Sequence, residues 1–93
     1  MYKPIVELTV RNHPGVMSHV TGLFARRAFN VEGILCGPIG DGRSSRMYLL
    51  VNEGTPLVQL VKQLAKLHDV LDVSCREDCD EMIFHRLHEL VAG

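Results

Sequence analysis

The hydrophobic pattern of this chain switches between a period of two and a period near ~3.6, and the order of the switches leaves few folds open. Residues 5–10, Ile-Val-Glu-Leu-Thr-Val, alternate with Val6, Leu8 and Val10 on one face and Glu7 and Thr9 on the other, as a half-buried strand does. Arg11-Asn12-His13-Pro14-Gly15 is turn chemistry, with Pro14 suited to the first position of a helix. Helical spacing follows: Val16, Val20, Leu23, Phe24 and Ala28 share a stripe that His19, Arg26 and Arg27 avoid. Asn30 is expected to end that helix in the left-handed conformation. Residues 31–39 read as a second strand, which Gly33, Gly37 and Pro38 assign to an edge or a bulge.

Residues 40–45, Gly-Asp-Gly-Arg-Ser-Ser, form a hairpin connection. Met47, Leu49 and Val51 then alternate with Tyr48 and Leu50 in a third strand. Thr55 and Pro56, as cap and first residue, open a second helix with the stripe Leu57, Leu60, Val61 and Leu64, ending near His68-Asp69. In the last strand Leu71, Val73 and Cys75 alternate against Asp72, Ser74 and Arg76. The order is strand, helix, strand, strand, helix, strand, and each helix has one apolar face. The expected class is α+β: a ferredoxin-like βαββαβ domain over residues 1–77, with an antiparallel sheet, both helices on one face and the first and third strands central. Residues 78–93 are a C-terminal tail, predicted helical from Asp80 and the stripe Ile83, Phe84, Leu87, Leu90 and Val91. On the open sheet face the apolar residues are expected to be Ile34, Cys36, Tyr48 and Leu50, beside polar Glu7, Thr9, Asp72 and Ser74.

A chain of 93 residues buries only about 60–65% of its unfolded surface, which favours oligomerisation. The net charge of −1 carries no electrostatic footprint for nucleic acid. No stretch approaches the ~20 apolar residues of a membrane helix. A strand pattern already under way at Ile5 and an odd cysteine number of 3 lead to the expectation of a cytoplasmic chain without a signal peptide.

Catalytic signals are sparse. Gly40-Asp41-Gly42 matches the opening of a thiamine-diphosphate motif, yet its place between two strands makes it a hairpin turn. Cys75, Cys79, His85 and His88 are spaced loosely like zinc ligands, but Cys75 falls on an apolar strand face and the histidine gap is short. An acylphosphatase-like hydrolase would use an arginine in the first loop and an asparagine on the third strand. Arg11 is near one position, but Asn52 follows the strand and the Gly-rich phosphate loop is missing. His13 and His19 near the first helix start read as surface or capping residues rather than bases.

The first loop is the best candidate site. Amides at a helix start are unpaired and carry partial positive charge. Those of Gly15, Val16 and Met17 can hold a carboxylate, while the Asn12 carbonyl accepts an ammonium and Val16, Met17 and Ile34 wall a small apolar pocket. These residues alone fit a plain helix start equally well.

The run Asn-His-Pro-Gly-Val-Met-x-His-Val, followed by Phe-Asn-Val-Glu-Gly-Ile-Leu-Cys, closely resembles the small regulatory subunits of acetohydroxyacid synthase, and the similarity covers residues 5–76. The resemblance implies an ACT domain that pairs with a second copy and binds amino acids at the joint. It implies a non-catalytic subunit that activates the large catalytic subunit and confers feedback inhibition by valine, with isoleucine and leucine as related ligands. Thiamine diphosphate, Mg and FAD would then sit on that catalytic partner, with no cofactor on this chain. The site residues carried over are Asn12, Gly15, Val16 and Met17 from one copy and Asn30, Val31 and Ile34 from the other. A stand-alone amino-acid sensor is the alternative; acting on transcription, it would need a DNA-binding element, and no basic recognition helix is present.

Overall fold

A computed structural model describes residues 4–52 and 54–76. The elements are β1 (Ile5–Arg11), α1 (Val16–Arg26), β2 (Val31–Ile39), β3 (Ser44–Val51), α2 (Leu57–Ala65) and β4 (Val70–Arg76). The strands form one antiparallel sheet in the order β2-β3-β1-β4, so β1 and β3 are central and β2 is an edge. The expected helical tail lies outside the described residues.

Alternation builds the core. Val6, Leu8 and Val10 of β1 and Met47, Leu49 and Val51 of β3 are fully buried on the helix-covered face. Val16, Val20, Leu23 and Phe24 of α1 and Leu60 and Leu64 of α2 close over them. Both helical stripes thus serve one sheet face, as their spacing requires.

The helix ends differ from expectation in instructive ways. Helix α1 starts after Gly15, which is the N-cap at φ 92°, so Pro14 lies in the turn before it. Its C-terminal left-handed residue is Ala28, at φ 57°, rather than Asn30. The Ala28 amide donates to Ala25 O (3.3 Å) and the Phe29 amide to Phe24 O (2.9 Å), the paired bonds of a Schellman ending. Phe24 and Phe29 meet edge to face, ring centres 6.2 Å apart. That aromatic contact holds Ala28 in a conformation it would otherwise avoid. Helix α2 starts after Pro56, and no side chain among the described residues caps it; the Thr55 amide instead closes a turn onto Asn52 O at 2.9 Å.

Two bulges redirect side chains. In β4, Val70 pairs with Val10 and Asp72 with Thr9, so Leu71 is extruded and 47% exposed while Val70 packs on the core. In β2, the register shifts between Val31 and Gly33. Ile34 then pairs with Leu49 and Cys36 with Met47, placing both on the helix side. The expectation of Ile34 and Cys36 on the open face is therefore wrong. Leu35, opposite Tyr48, faces that way instead.

Two stability predictions follow from this packing. Ala28→Gly should stabilise the chain by up to about 1 kcal/mol, because relief of the left-handed penalty exceeds the added unfolded-state freedom. Leu60→Ala, at a position with no exposed surface, should cost about 2–5 kcal/mol. Urea unfolding of both variants beside the parent chain checks the signs.

Candidate functional site

The loop between β1 and α1 is held from two sides. On one side, the Asn12 amide donates to Arg43 O (3.0 Å) and its side-chain Nδ2 donates to Gly42 O (2.7 Å), tying the loop to the β2–β3 turn. That turn is Gly40-Asp41-Gly42, with positive φ at both glycines and the Gly42 amide bonded to Ile39 O. The hairpin reading of the Gly-Asp-Gly run therefore stands. With Nδ2 committed to Gly42, Oδ1 of Asn12 is the side-chain atom left as an acceptor. Gly15 is exposed, and nothing among the described residues lies within 4 Å of where a Cβ would sit. Among the described residues no side chain caps helix α1, and its first turn contains no acidic residue. The first turn therefore supplies no acidic side chain to its own amide end.

The other side of the loop carries a cluster that the sequence does not reveal. Asp69, in the turn between α2 and β4, has a side chain only 7% exposed. His13 Nε2–H donates to Asp69 Oδ1 at 2.6 Å, and His19 Nδ1–H to Asp69 Oδ2 at 2.9 Å. The two imidazoles meet edge to face, 6.2 Å apart. A backbone bond from the Arg11 amide to Asp69 O (2.8 Å) completes the attachment. The Asp69 carboxylate is held below its ordinary 3.8 by the hydrogen bonds from His13 and then His19, against the opposing effect of burial. His13 is raised above its ordinary 6.5, first by Asp69 and then by its bond to Pro14 O. His13 and His19 alone read as surface groups; only the long-range arrival of Asp69 joins them.

The residues carried over by resemblance fall into two separate groups. Asn12, Gly15 and Met17 are exposed around the helix start, Met17 with 38% of its surface. Val16 is turned into the core at 7% exposure, so its side chain walls no pocket there, and its amide already donates to His13 O at 3.4 Å. Asn30 is exposed just before β2. Val31 and Ile34 are half-buried against the chain's own core. The two groups lie toward opposite ends of the sheet. Arg11 and Ile39 both pair with Ser44 at the loop end, whereas Val31 pairs with Val51 at the other. These levels are the two ends of the eight-residue strand β3, roughly 23 Å apart. One chain does not unite the expected site.

The same register bears on the rival readings. Arg11 pairs at the Ser44 level, while Asn52 follows Val51 at the far end, so an acylphosphatase-type pair is not assembled. Asn52 is instead occupied as an acceptor for the Gly54 amide at 2.9 Å. Of the zinc-like set, Cys75 lies on β4 opposite Val6 and the other three positions lie outside the described residues. Among the described residues, no group of three or more His, Cys, Asp or Glu is placed to hold a metal, and no helix is long and apolar enough to cross a membrane. A shallow surface cavity of about 420 Å³, lined by Leu35, Gly37, Ile39, Arg46 and Tyr48 among others, lies along β2 and β3 rather than at the loop.

Comparison with known proteins adds an independent line. The family model described as AHAS small subunit-like ACT domain matches residues 6–72. The chain is 58% identical over 83 residues to the acetolactate synthase isozyme 1 small subunit of Escherichia coli K12, covering 89% of this chain and 85% of that protein. It is 39% identical over 74 residues to the acetolactate synthase small subunit of Mycobacterium bovis, covering 78% of this chain but 44% of that longer protein. The crystal structure of the acetolactate synthase small subunit from Thermotoga maritima superposes with a TM-score of 0.74 at 34% identity, over 87% of this chain and 51% of that one. The match spans both the loop and the β2 edge, and on it the chain belongs to the acetohydroxyacid (acetolactate) synthase small-subunit family of ACT domains.

Proposed function

We propose that the chain is the non-catalytic regulatory subunit of an acetolactate synthase. In this reading it binds the large catalytic subunit, which carries thiamine diphosphate, Mg and FAD, raises its activity and confers feedback inhibition by valine. The effector lies between two copies of the chain. Its carboxylate meets the amide end of α1 near Gly15 and its ammonium meets Asn12 Oδ1. The Asn30, Val31 and Ile34 end of the second copy covers its side chain.

The observation that carries this reading is the division of the site. The two residue groups lie toward opposite ends of one sheet, and β2 is an edge. Antiparallel pairing of two β2 strands about a two-fold axis sets the loop end of one copy beside the Val31 end of the other. Edge strands invite such pairing, and Pro38 near the loop end limits its length. Binding across the joint then favours one arrangement of the dimer, and the catalytic subunit responds to that arrangement. Valine, leucine and isoleucine differ by about a methylene, worth ~1–3 kcal/mol in a small pocket, so selectivity among them is modest.

Calorimetric titration of the chain with the three branched amino acids and an unrelated one, with mass measured in parallel, is the direct experiment. One or two valine sites per dimer are expected. Gly15→Asp should weaken valine by about a hundredfold or more, since like charges placed together cost several kcal/mol. Gly15→Asn tolerates the positive φ of that position as Asp does, without the charge, and should retain most of the affinity. Reconstituted with a large subunit, Gly15→Asp should keep activation and lose feedback. Feedback persisting in that variant would overturn the site.

A further inference from the structure

His13 has an unusual pair of neighbours. Its Nε2 faces the Asp69 carboxylate at 2.6 Å and its Nδ1 faces the Pro14 carbonyl at 2.5 Å. Both partners accept and neither donates. A neutral imidazole has one N–H and one lone pair, so it satisfies only one of them and sets its lone pair against the other. Only the imidazolium, with two N–H groups, satisfies both. The fold thus builds a receptor for a proton into the loop that carries Gly15.

The cluster reaches that loop from several points. His13 and His19 flank Gly15 and the first turn of α1, and both bind the same carboxylate. The Pro14 carbonyl, held by His13, precedes Gly15 directly. Asp69 is anchored in turn by the Arg11 amide at the end of β1. Among the described residues, other charged groups lie at this end of the sheet. Arg11 opposes protonation of His13. Asp41 and Arg43 of the facing β2–β3 turn pair with each other at 3.2 Å, and His68 beside Asp69 is exposed.

The geometry points to Asp69 as a positioning residue for the effector loop and to His13 as its proton-operated latch, so that amino-acid binding at Gly15 is linked to pH. With His13 protonated, the latch holds residues 13–19 in the geometry that presents the α1 amides and adds a positive charge beside the bound carboxylate. Loss of the proton leaves one His13 bond unmade and frees the loop. His13 is raised, so its contribution is fully present below pH 6.5 and fades as pH rises through its folded value. Asp69 is lowered, so its contribution is present above 3.8 and fades only as pH falls through its folded value. The latch is strongest between the two ordinary values. Linkage also requires the reciprocal effect: bound valine pushes His13 further up.

This inference rests on the effector reading above, and the experiment separates the two. Imidazole resonances of His13 and His19 are followed by NMR against pH in the full chain. Valine affinity is measured by calorimetry at pH 6 and pH 8.5, with and without a large subunit. The expected results are a His13 midpoint above 6.5, raised further by saturating valine, and roughly fivefold weaker valine binding at the higher pH. His13→Gln keeps a donor toward Asp69 but cannot titrate, and should flatten the pH dependence; Asp69→Asn should lower the His13 midpoint. Equal valine affinity at both pH values, or an unchanged slope in His13→Gln, overturns the latch while the effector site stands. Failure of any branched amino acid to bind at either pH, even with the large subunit, removes the effector reading and the latch with it.

Discussion

Pairing of β1 with β3 at the centre of the sheet is the constraint on which the rest depends. Val6, Leu8 and Val10 face Leu49, Met47 and Ser45 in a register whose helix-side residues are all buried. A slip of one residue would turn that entire set toward the open face, at a cost no local rearrangement recovers. The register also sets the position of the loop. Since Arg11 is held opposite Ser44, Asn12 emerges beside Arg43 and Gly42 and bonds to both. The site geometry is thus a consequence of strand packing.

The loop itself shows how a small domain stiffens an exposed segment without burying it. Gly15 and Asn12 stay accessible, yet the chain around them is fastened to the β2–β3 turn on one side and to Asp69 on the other. Those bonds link three separate connections of the fold at one end of the sheet. A preorganised helix start with no capping side chain among the described residues suits an anionic ligand group, because little order remains to be imposed when it binds. In the proposed dimer the remaining part of the site comes from the opposite end of another copy. Effector binding and subunit arrangement are then one equilibrium.

Much of the fold was legible because periodicity reports burial directly. The stripes Val16, Val20, Leu23, Phe24 and Leu60, Leu64 face the core as their spacing requires, and the breakers in β2 mark an edge strand. The misreadings cluster at irregular points. Residues 31–39 carry apolar side chains at both parities, so alternation could not say which face Ile34 or Leu35 takes. The bulge at residues 31–33 decided it, and a similar shift traded Leu71 for Val70. Ala28 rather than Asn30 turns left-handed because the Phe24–Phe29 contact outweighs the intrinsic preference of a single residue. Of the candidate site, Asn12, Gly15 and Met17 were readable as an exposed helix start. Val16 was not readable as core, since a first-turn valine fits either role.

What the sequence by itself determined is the order of elements, the core face of each helix and central strand, and the turn chemistry that leaves Gly15 bare at a helix start. These are local properties, encoded in spacing and in the few residues that adopt special backbone conformations. Only the tertiary structure decided which face of β2 looks outward, how far apart the two groups of site residues lie, and that Asp69 joins His13 and His19. Each of those depends on strand register and chain closure between positions remote in sequence. Such contacts are chosen by the packing of the whole sheet, and no local pattern carries them.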